Sequence, residues 1–336
     1  ITPGLKDLLD LSAEDISVFR ENADMFYEKI QEIMKNPLSG WKDIFQISET
    51  KYVHIRLTIE SDGYLGTITD VTKDVLDKRR ILYENSHDQL TGLYKYKCFK
   101  ELAADILSQM PSGEISAFIM LDLDSFKNIN ALYDRSFGDE VLRITAQKVA
   151  SMLPPNAMLY RLDGDEFGIL LLGGDAKEAA HLFDKLQQNF CKQQEYGGKK
   201  YFCTLSAGYA AYPEDGGNYL ELFKRANYSL EYSKIMGKNR MTVFSRNILA
   251  DRERRLELME LLRESVERGF AGFSIHYQPQ ADTLSGRLCG AEALARWHCG
   301  KYGDVSPGEF IPLMEQSGLI VPFGQWILSH GMAQCL

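Results

Sequence analysis

Tyr160-Arg161-Leu162-Asp163-Gly164-Asp165-Glu166-Phe167-Gly168-Ile169-Leu170 decides how this chain is read. Apolar residues alternate on either side of an Asp-Gly pair, the strongest short-range signal for a β-hairpin with a type I′ turn. Two carboxylates, Asp165 and Glu166, follow the turn directly. On adjacent strand positions their side chains point to opposite faces. A charge placed there is costly unless something pairs it.

A partner stands upstream. Phe118-Ile119-Met120-Leu121-Asp122-Leu123-Asp124 is an apolar run long enough for a buried central strand, and it ends in two acids. Asp122 and Asp124 share a face. With this strand beside the hairpin, Asp122 and Asp165 converge on an oxygen-rich site suited to a hard cation such as Mg²⁺. The alternative is that these acids are simply solvated strand ends.

With their flanks, these residues resemble the GGDEF family, the diguanylate cyclases that condense two GTP into cyclic di-GMP. The resemblance runs from His87-Asp88-Gln89-Leu90-Thr91-Gly92-Leu93, through Asp122-Leu123-Asp124-Ser125-Phe126-Lys127-Asn128-Ile129-Asn130 and Gly138-Asp139, to Ser233-Lys234-Ile235-Met236-Gly237-Lys238-Asn239-Arg240. It implies an α/β (α+β) domain over 88–246, a ferredoxin-like core whose central, mostly antiparallel sheet is flanked by helices. It also implies roles. Asp122, the backbone carbonyl of Leu123 and Asp165 would hold Mg²⁺ (or Mn²⁺), with Glu166 as a further metal ligand or a participant in deprotonating the attacking hydroxyl. The phosphates of GTP would lie against Ser125, Phe126 and Lys127, where free N–H groups at a helix start attract anions. Lys234 and Lys238, one helical turn apart, would face the same phosphates. Asn130 and Asp139 match the guanine-reading pair, since a carboxylate accepts from guanine's adjacent N–H donors and finds no such pair on adenine. Read without the family, the lysines are solvated and favoured by a helix dipole, and Gly138-Asp139 caps the helix that follows.

The chain departs from the family at Asp163, in place of the signature's first glycine, at Lys95 and Tyr96, where Asn-Arg is usual, and at Ala131, in place of a common aspartate. Pro154 and Ala157 stand where the family's inhibitory product site has Arg-x-x-Asp. Three readings follow: a cyclase weakened at Asp163, a GTP-sensing module that regulates a phosphodiesterase, or a purely structural domain that mediates dimerisation.

Residues 88–246 alternate throughout. The pattern predicts helices near 95–110, 126–133, 137–152, 176–192 and 218–236, with strands at 115–122, 157–172 (the hairpin), 201–208 and 241–244.

Upstream, Val53, Ile55, Leu57 and Ile59 fall on one face of a half-buried strand, and Ser61-Asp62-Gly63 turns the chain into a second strand, Tyr64 to Thr72. Trp41 and Phe45 are expected beneath it. This region, 1–72, resembles the later part of a PAS sensor domain. Residues 73–87 read as a linker helix with Val75, Leu76, Ile81 and Leu82 at loosely helical spacing, either a spacer or the seam of a homodimer.

Downstream, 248–268 reads as an amphipathic helix ending at Gly269. Phe273 to Gln280 and Gly290 to Trp297 are strand-like and resemble the start of an EAL phosphodiesterase domain, so 247–336 is the N-terminal part of such a domain. By resemblance Glu292 would bind metal, and Gln278 and Arg296 would touch the dinucleotide. That family's α/β barrel needs ~250 residues, so this segment holds only its opening strands.

The bulk properties are ordinary for globular protein, with 336 residues, 45% hydrophobic and 25% charged, enough for two or three domains. A net charge of −9 argues against a nucleic-acid partner, because no broad cationic surface is available. The six cysteines show no paired spacing, so neither zinc nor a disulfide framework is expected and a reducing cytoplasm fits. No stretch approaches the ~20 apolar residues of a membrane span, although the chain begins at Ile1 and a span upstream stays open.

Overall fold

Three short helices, α1 (Gly4–Leu9), α2 (Ala13–Glu21) and α3 (Ala23–Met34), precede three strands, β1 (Ile44–Ser48), β2 (Lys51–Glu60) and β3 (Gly63–Asp70). The computed structural model describes residues 4–60 and 63–335. These divide into two compact units, Ile1–Leu102 with Leu142–Gln147, and Ala103–Val141 with Lys148–Leu336.

In the first unit the strands pair antiparallel in the order β1-β2-β3. Period-two alternation turns Val53 and Ile55 inward, where they meet Phe45, Leu9, Phe19 and Ile30. The side chains of Ser12 and Asn22 accept from backbone N–H groups that begin α2 and α3, which otherwise lack partners. Ser61 and Asp62 of the expected turn lie outside the described residues. Phe45 packs as expected but within a strand, β1, that was not anticipated, because five residues give too short an alternation to read. α4 (Thr72–Ser86) follows as predicted. It buries Val75 against Tyr52 and Ile44, and Arg79 donates to Tyr52 Oη at 2.6 Å. Leu76, Ile81, Leu82 and Tyr83 on the same helix are exposed. After β4 (Tyr94–Lys95) comes α5 (Tyr96–Ser108). Lys95, one of the departures from the family, donates its Nζ to the Glu84 carbonyl at 2.6 Å and so satisfies an acceptor in the last turn of α4.

The second unit continues with β5 (Ser116–Leu123), α6 (Phe126–Leu132), α7 (Arg135–Met152), β6 (Ala157–Arg161), β7 (Glu166–Leu172), α8 (Ala176–Phe190), β8 (Gln194–Tyr196), β9 (Lys199–Tyr201), β10 (Leu205–Tyr212), α9 (Tyr219–Ile235) and β11 (Met241–Val243). Five strands run β11-β10-β5-β7-β6, antiparallel except for the β10–β11 pair. β5, central and covered on both faces, is buried at every position, which explains its unbroken apolar sequence. α9 crosses β10 so closely that a Cβ on Gly208 would overlap the Ala226 carbonyl.

Two expectations need correction here. The strand predicted at 201–208 begins at Leu205, and Lys199–Tyr201 belongs instead to the separate β8–β9 hairpin. That hairpin carries the paired positive φ of a type I′ turn, at Gly197 (55°) and Gly198 (74°). The signature turn is not type I′: of Asp163 and Gly164 only Gly164 has positive φ, 53°, and the Glu166 N–H closes onto the Asp163 carbonyl at 2.9 Å.

The rest of this unit is α10 (Arg246–Glu267), β12 (Phe273–Ala281), β13 (Leu288–Cys299), β14 (Gly303–Val305), α11 (Pro307–Ser317) and α12 (Ile320–Cys335). β12-β13-β14 form an antiparallel sheet, with Trp297, Phe310, Leu258, Leu262 and Phe323 in one core. β14 was not anticipated. Among the described residues these strands do not close into a barrel.

Candidate active site

The register of the central sheet builds the site. β5 and β7 pair so that Asp122 lies directly opposite Glu166, and directly opposed residues project to the same face. The strand-level partner of Asp122 is therefore Glu166. Asp165 closes the turn one residue earlier, and its carbonyl accepts from the Leu123 N–H at 3.3 Å.

Lys234, from the last turn of α9, reaches between the two opposed acids. Its Nζ lies 2.6 Å from Asp122 Oδ2 and 4.0 Å from Glu166 Oε1. One ammonium does not neutralise this cluster. Burial pushes the Asp122 carboxyl up to about 6, with Asp165 and Glu166 adding to the rise and Lys234 opposing it. Burial also raises Glu166, and Asp165 and Asp163 raise it further. The site thus carries surplus negative charge in a poorly solvated place, which a divalent cation would relieve.

Among the described residues no three His, Cys, Asp or Glu side chains are grouped to hold a metal. Mg²⁺ takes one or two protein carboxylates and completes its octahedron with water and substrate phosphate. Asp122 and Glu166, opposed across the two strands, are hard oxygen donors of the kind it takes, and Asp165 precedes Glu166 in the turn. Asp124, in the turn directly after β5, has another task. It is buried and accepts from Thr204 Oγ1 and Ser206 Oγ, each at 2.7 Å, and from the Asn239 N–H at 3.0 Å. It ties the loop after α9 to the end of β5.

That loop corrects another expectation. Lys238 is not one helical turn above Lys234 on a continuous helix, because α9 ends at Ile235 and Gly237, Lys238 and Asn239 all have positive φ. Left-handed backbone at two non-glycine residues is costly, of order 1–3 kcal/mol each, and here it swings Lys238 Nζ to within 3.1 Å of Ser125 Oγ. Ser125, itself left-handed at φ 63°, opens α6, with Phe126 buried behind it and Lys127 exposed. Both lysines and the Ser125-Phe126-Lys127 turn thus come to one end of β5.

Asn130 and Asp139 lie on α6 and α7. Gly138-Asp139 does not cap α7: the helix starts at Arg135, and its cap is Asp134, whose side chain accepts from Phe137 N. Gly138 has a different job. A Cβ there would overlap Asn130 Oδ1, so glycine lets the helices close until the amide sits against α7. Asn130 Oδ1 is buried without a hydrogen-bond partner, a costly state that a ligand N–H would end. Asp139 beside it is exposed and open to a ligand.

In β12 and β13, Gln278 lies directly opposite Glu292, and Arg296 is on the same face two pleats along. All three expected residues of that segment share one surface. Gln278 and Glu292 are exposed.

The fold and site define an α/β domain with an acidic, cation-seeking centre and a separate polar pocket bearing an unsatisfied amide. Residues 85–240 match the family described as "Diguanylate cyclase, GGDEF domain", and residues 259–336 match the EAL domain. Residues 85–240 are a GGDEF domain, and residues 259–336 belong to an EAL domain. It is 30% identical over 301 residues to the bifunctional diguanylate cyclase/cyclic di-GMP phosphodiesterase MucR of Pseudomonas aeruginosa, covering 88% of this chain and 44% of MucR. It is 33% identical over 243 residues to the cyclic di-GMP phosphodiesterase NbdA of the same organism, covering 72% of this chain and 31% of NbdA. The chain therefore spans less than half the length of these curated relatives. Among solved structures, the coiled coil and GGDEF domain of DgcB from Caulobacter crescentus, in complex with c-di-GMP, aligns with a TM-score of 0.48 at 22% identity, over 52% of this chain and 93% of that one. No described helix is long and apolar enough to cross a membrane.

Proposed function

We propose that residues 88–246 bind Mg-GTP, or its Mn²⁺ form, and condense two GTP into cyclic di-GMP with release of pyrophosphate. The observation that carries this reading is the pairing of Asp122 with Glu166 around Lys234. In the reaction each 3′-hydroxyl attacks the partner's α-phosphorus and pyrophosphate leaves. A bound divalent ion would supply charge neutralisation at the triphosphate. Lys234 and Lys238 contribute the chain's own cations, and Ser125-Phe126-Lys127 borders the phosphates. Glu166, its affinity for protons raised by burial, accepts the hydroxyl proton at a carboxylate oxygen. Asn130 and Asp139 read guanine, the amide oxygen meeting an N–H of the base.

Because one site holds one GTP, two chains must meet, and the exposed Leu76, Ile81, Leu82 and Tyr83 of α4 support a homodimer seam there. Residues 1–72 act in this reading as a PAS-like sensor on a cytoplasmic protein, and Gln278, Glu292 and Arg296 as cyclic di-GMP and metal contacts of the EAL domain.

A second reading has specific support. Asp163 adds negative charge beside Glu166, which favours a domain that senses GTP and regulates the phosphodiesterase without turning GTP over. Incubation with GTP and Mg²⁺, with nucleotides resolved by chromatography, separates the two: cyclic di-GMP supports the first, and GTP binding without product supports the second.

A further inference from the structure

The β8–β9 hairpin has no part in the chemistry above, yet it is fastened to the segment that carries the base-reading residues. Asn130 and Asp139 lie on either side of the joint between α6 and α7, whose centre is Tyr133 and Asp134. Tyr133 Oη donates to the Lys200 carbonyl at 2.6 Å. The Phe137 ring, one turn into α7, sits 4.4 Å from Tyr133, 5.9 Å from Tyr196 and 5.7 Å from Tyr201. Lys199 Nζ lies over both Tyr133 and Phe137, at 5.3 and 5.4 Å from the ring centroids, close enough for cation–π attraction. At the foot of the hairpin, Lys148 of α7 donates to the Gln194 side chain. Two strands thus grip both sides of one interhelical joint.

We infer that this hairpin is a latch that sets base affinity and specificity: Tyr133, Phe137 and Lys199 are positioning residues that hold Asn130 and Asp139 at the spacing guanine requires. The inference rests on the guanine-reading role proposed for that pair. The joint needs such support because Gly138 lets α7 approach Asn130 with no side chain to fix the separation. None of the latch residues contacts Asp122, Glu166 or Lys234 in any described interaction. Their effect therefore falls on the base end of a nucleotide and spares the phosphate end. A binding-competent geometry populated only part of the time weakens apparent affinity by that fraction, so loosening the latch costs affinity for the base alone.

The test uses the full chain and two probes. GTP with Mg²⁺ reports on both ends of the site, and inorganic triphosphate with Mg²⁺ on the phosphate end only. Tyr133→Phe removes the hydroxyl and keeps the ring. It is expected to weaken GTP binding roughly threefold to tenfold, as loss of one hydrogen bond allows, to lower the GTP-over-ATP preference, and to leave triphosphate affinity and the melting temperature unchanged. Lys199→Ala is expected to act the same way, with Lys199→Arg restoring the parent's values. Equal loss for GTP and triphosphate would overturn the inference, since it would mean general damage. Unchanged GTP affinity and preference in both variants would overturn it too. If the parent binds GTP no better than ATP, the guanine-reading role itself fails, an outcome distinct from failure of the latch.

Discussion

Replacing Asp122 by Asn tests the electrostatics of the site without altering its shape. The Asp122 carboxyl is pushed by burial from an ordinary 3.8 up to about 6, so the folded chain holds this proton more tightly than the unfolded chain. A raised carboxylate pKa contributes stability that is present below the unfolded value and is lost as pH rises through the folded one. The loss therefore falls between the 3.8 and the 6 of this group. At 1.36 kcal/mol per unit, a gap of about two units amounts to roughly 3 kcal/mol at most. Lys234 loses its 2.6 Å partner in the variant, which adds an offset. The informative quantity is consequently the pH dependence of the difference. In urea melts of metal-free protein followed by circular dichroism, Asp122→Asn is expected to gain on the parent by about 2–3 kcal/mol between pH 4 and pH 7.5. Parallel stability curves across that range would refute the claim that burial strains this carboxylate.

Gly138→Ala should displace Asn130, whose Oδ1 an added Cβ overlaps. Nucleotide-binding titrations should then show GTP preference reduced, although alanine ordinarily stabilises a helix interior by about 0.5–1 kcal/mol over glycine. Asp139→Ala should weaken GTP binding by about 1–3 kcal/mol through loss of the carboxylate acceptor, measured by calorimetry with a non-hydrolysable GTP. Asp163→Gly should raise GTP affinity by about 1 kcal/mol, the repulsion expected between exposed charges, with little change in melting temperature because Gly164 alone carries the positive φ of the turn; no gain in binding or rate would shift attention to Ala131. Added cyclic di-GMP should not inhibit noncompetitively through 154–157, where Pro154 and Ala157 offer neither guanidinium nor carboxylate, a point that initial-rate kinetics decides.

Much of this architecture was legible because long, strongly periodic segments leave little choice. β5 reads as a buried strand from its unbroken apolar run, and the helices at α7, α8 and α9 fall within a few residues of their predicted ends. Local backbone geometry was less legible. Asp163-Gly164 carries the expected type I′ dipeptide, yet the Glu166 N–H closes on Asp163 and only glycine turns left-handed. The Tyr196-Gly197-Gly198-Lys199 run carries an equally strong turn signal, but it falls between the helix expected to end at 192 and the strand expected from 201, in a stretch too short for either periodicity to show. In the site, the acids and lysines were identifiable by resemblance, but their pairing depends on register. Asp122 meets Glu166 because of where β7 starts, and Lys238 arrives through three left-handed residues that helical spacing could not foresee. The cap at Asp134, four residues before Gly138, has a sequence signal of its own, an Asp ahead of a helical run. The demand that Asn130 makes of Gly138 needs coordinates to be seen.

The most direct test of the account is turnover of GTP by the parent chain and by Glu166→Gln, with Mg²⁺ present and products separated by chromatography. The expected result is cyclic di-GMP and pyrophosphate from the parent, and product lost in the variant while GTP still binds. Product formation undiminished in Glu166→Gln, or no GTP binding by the parent at all, would contradict the assignment of this site.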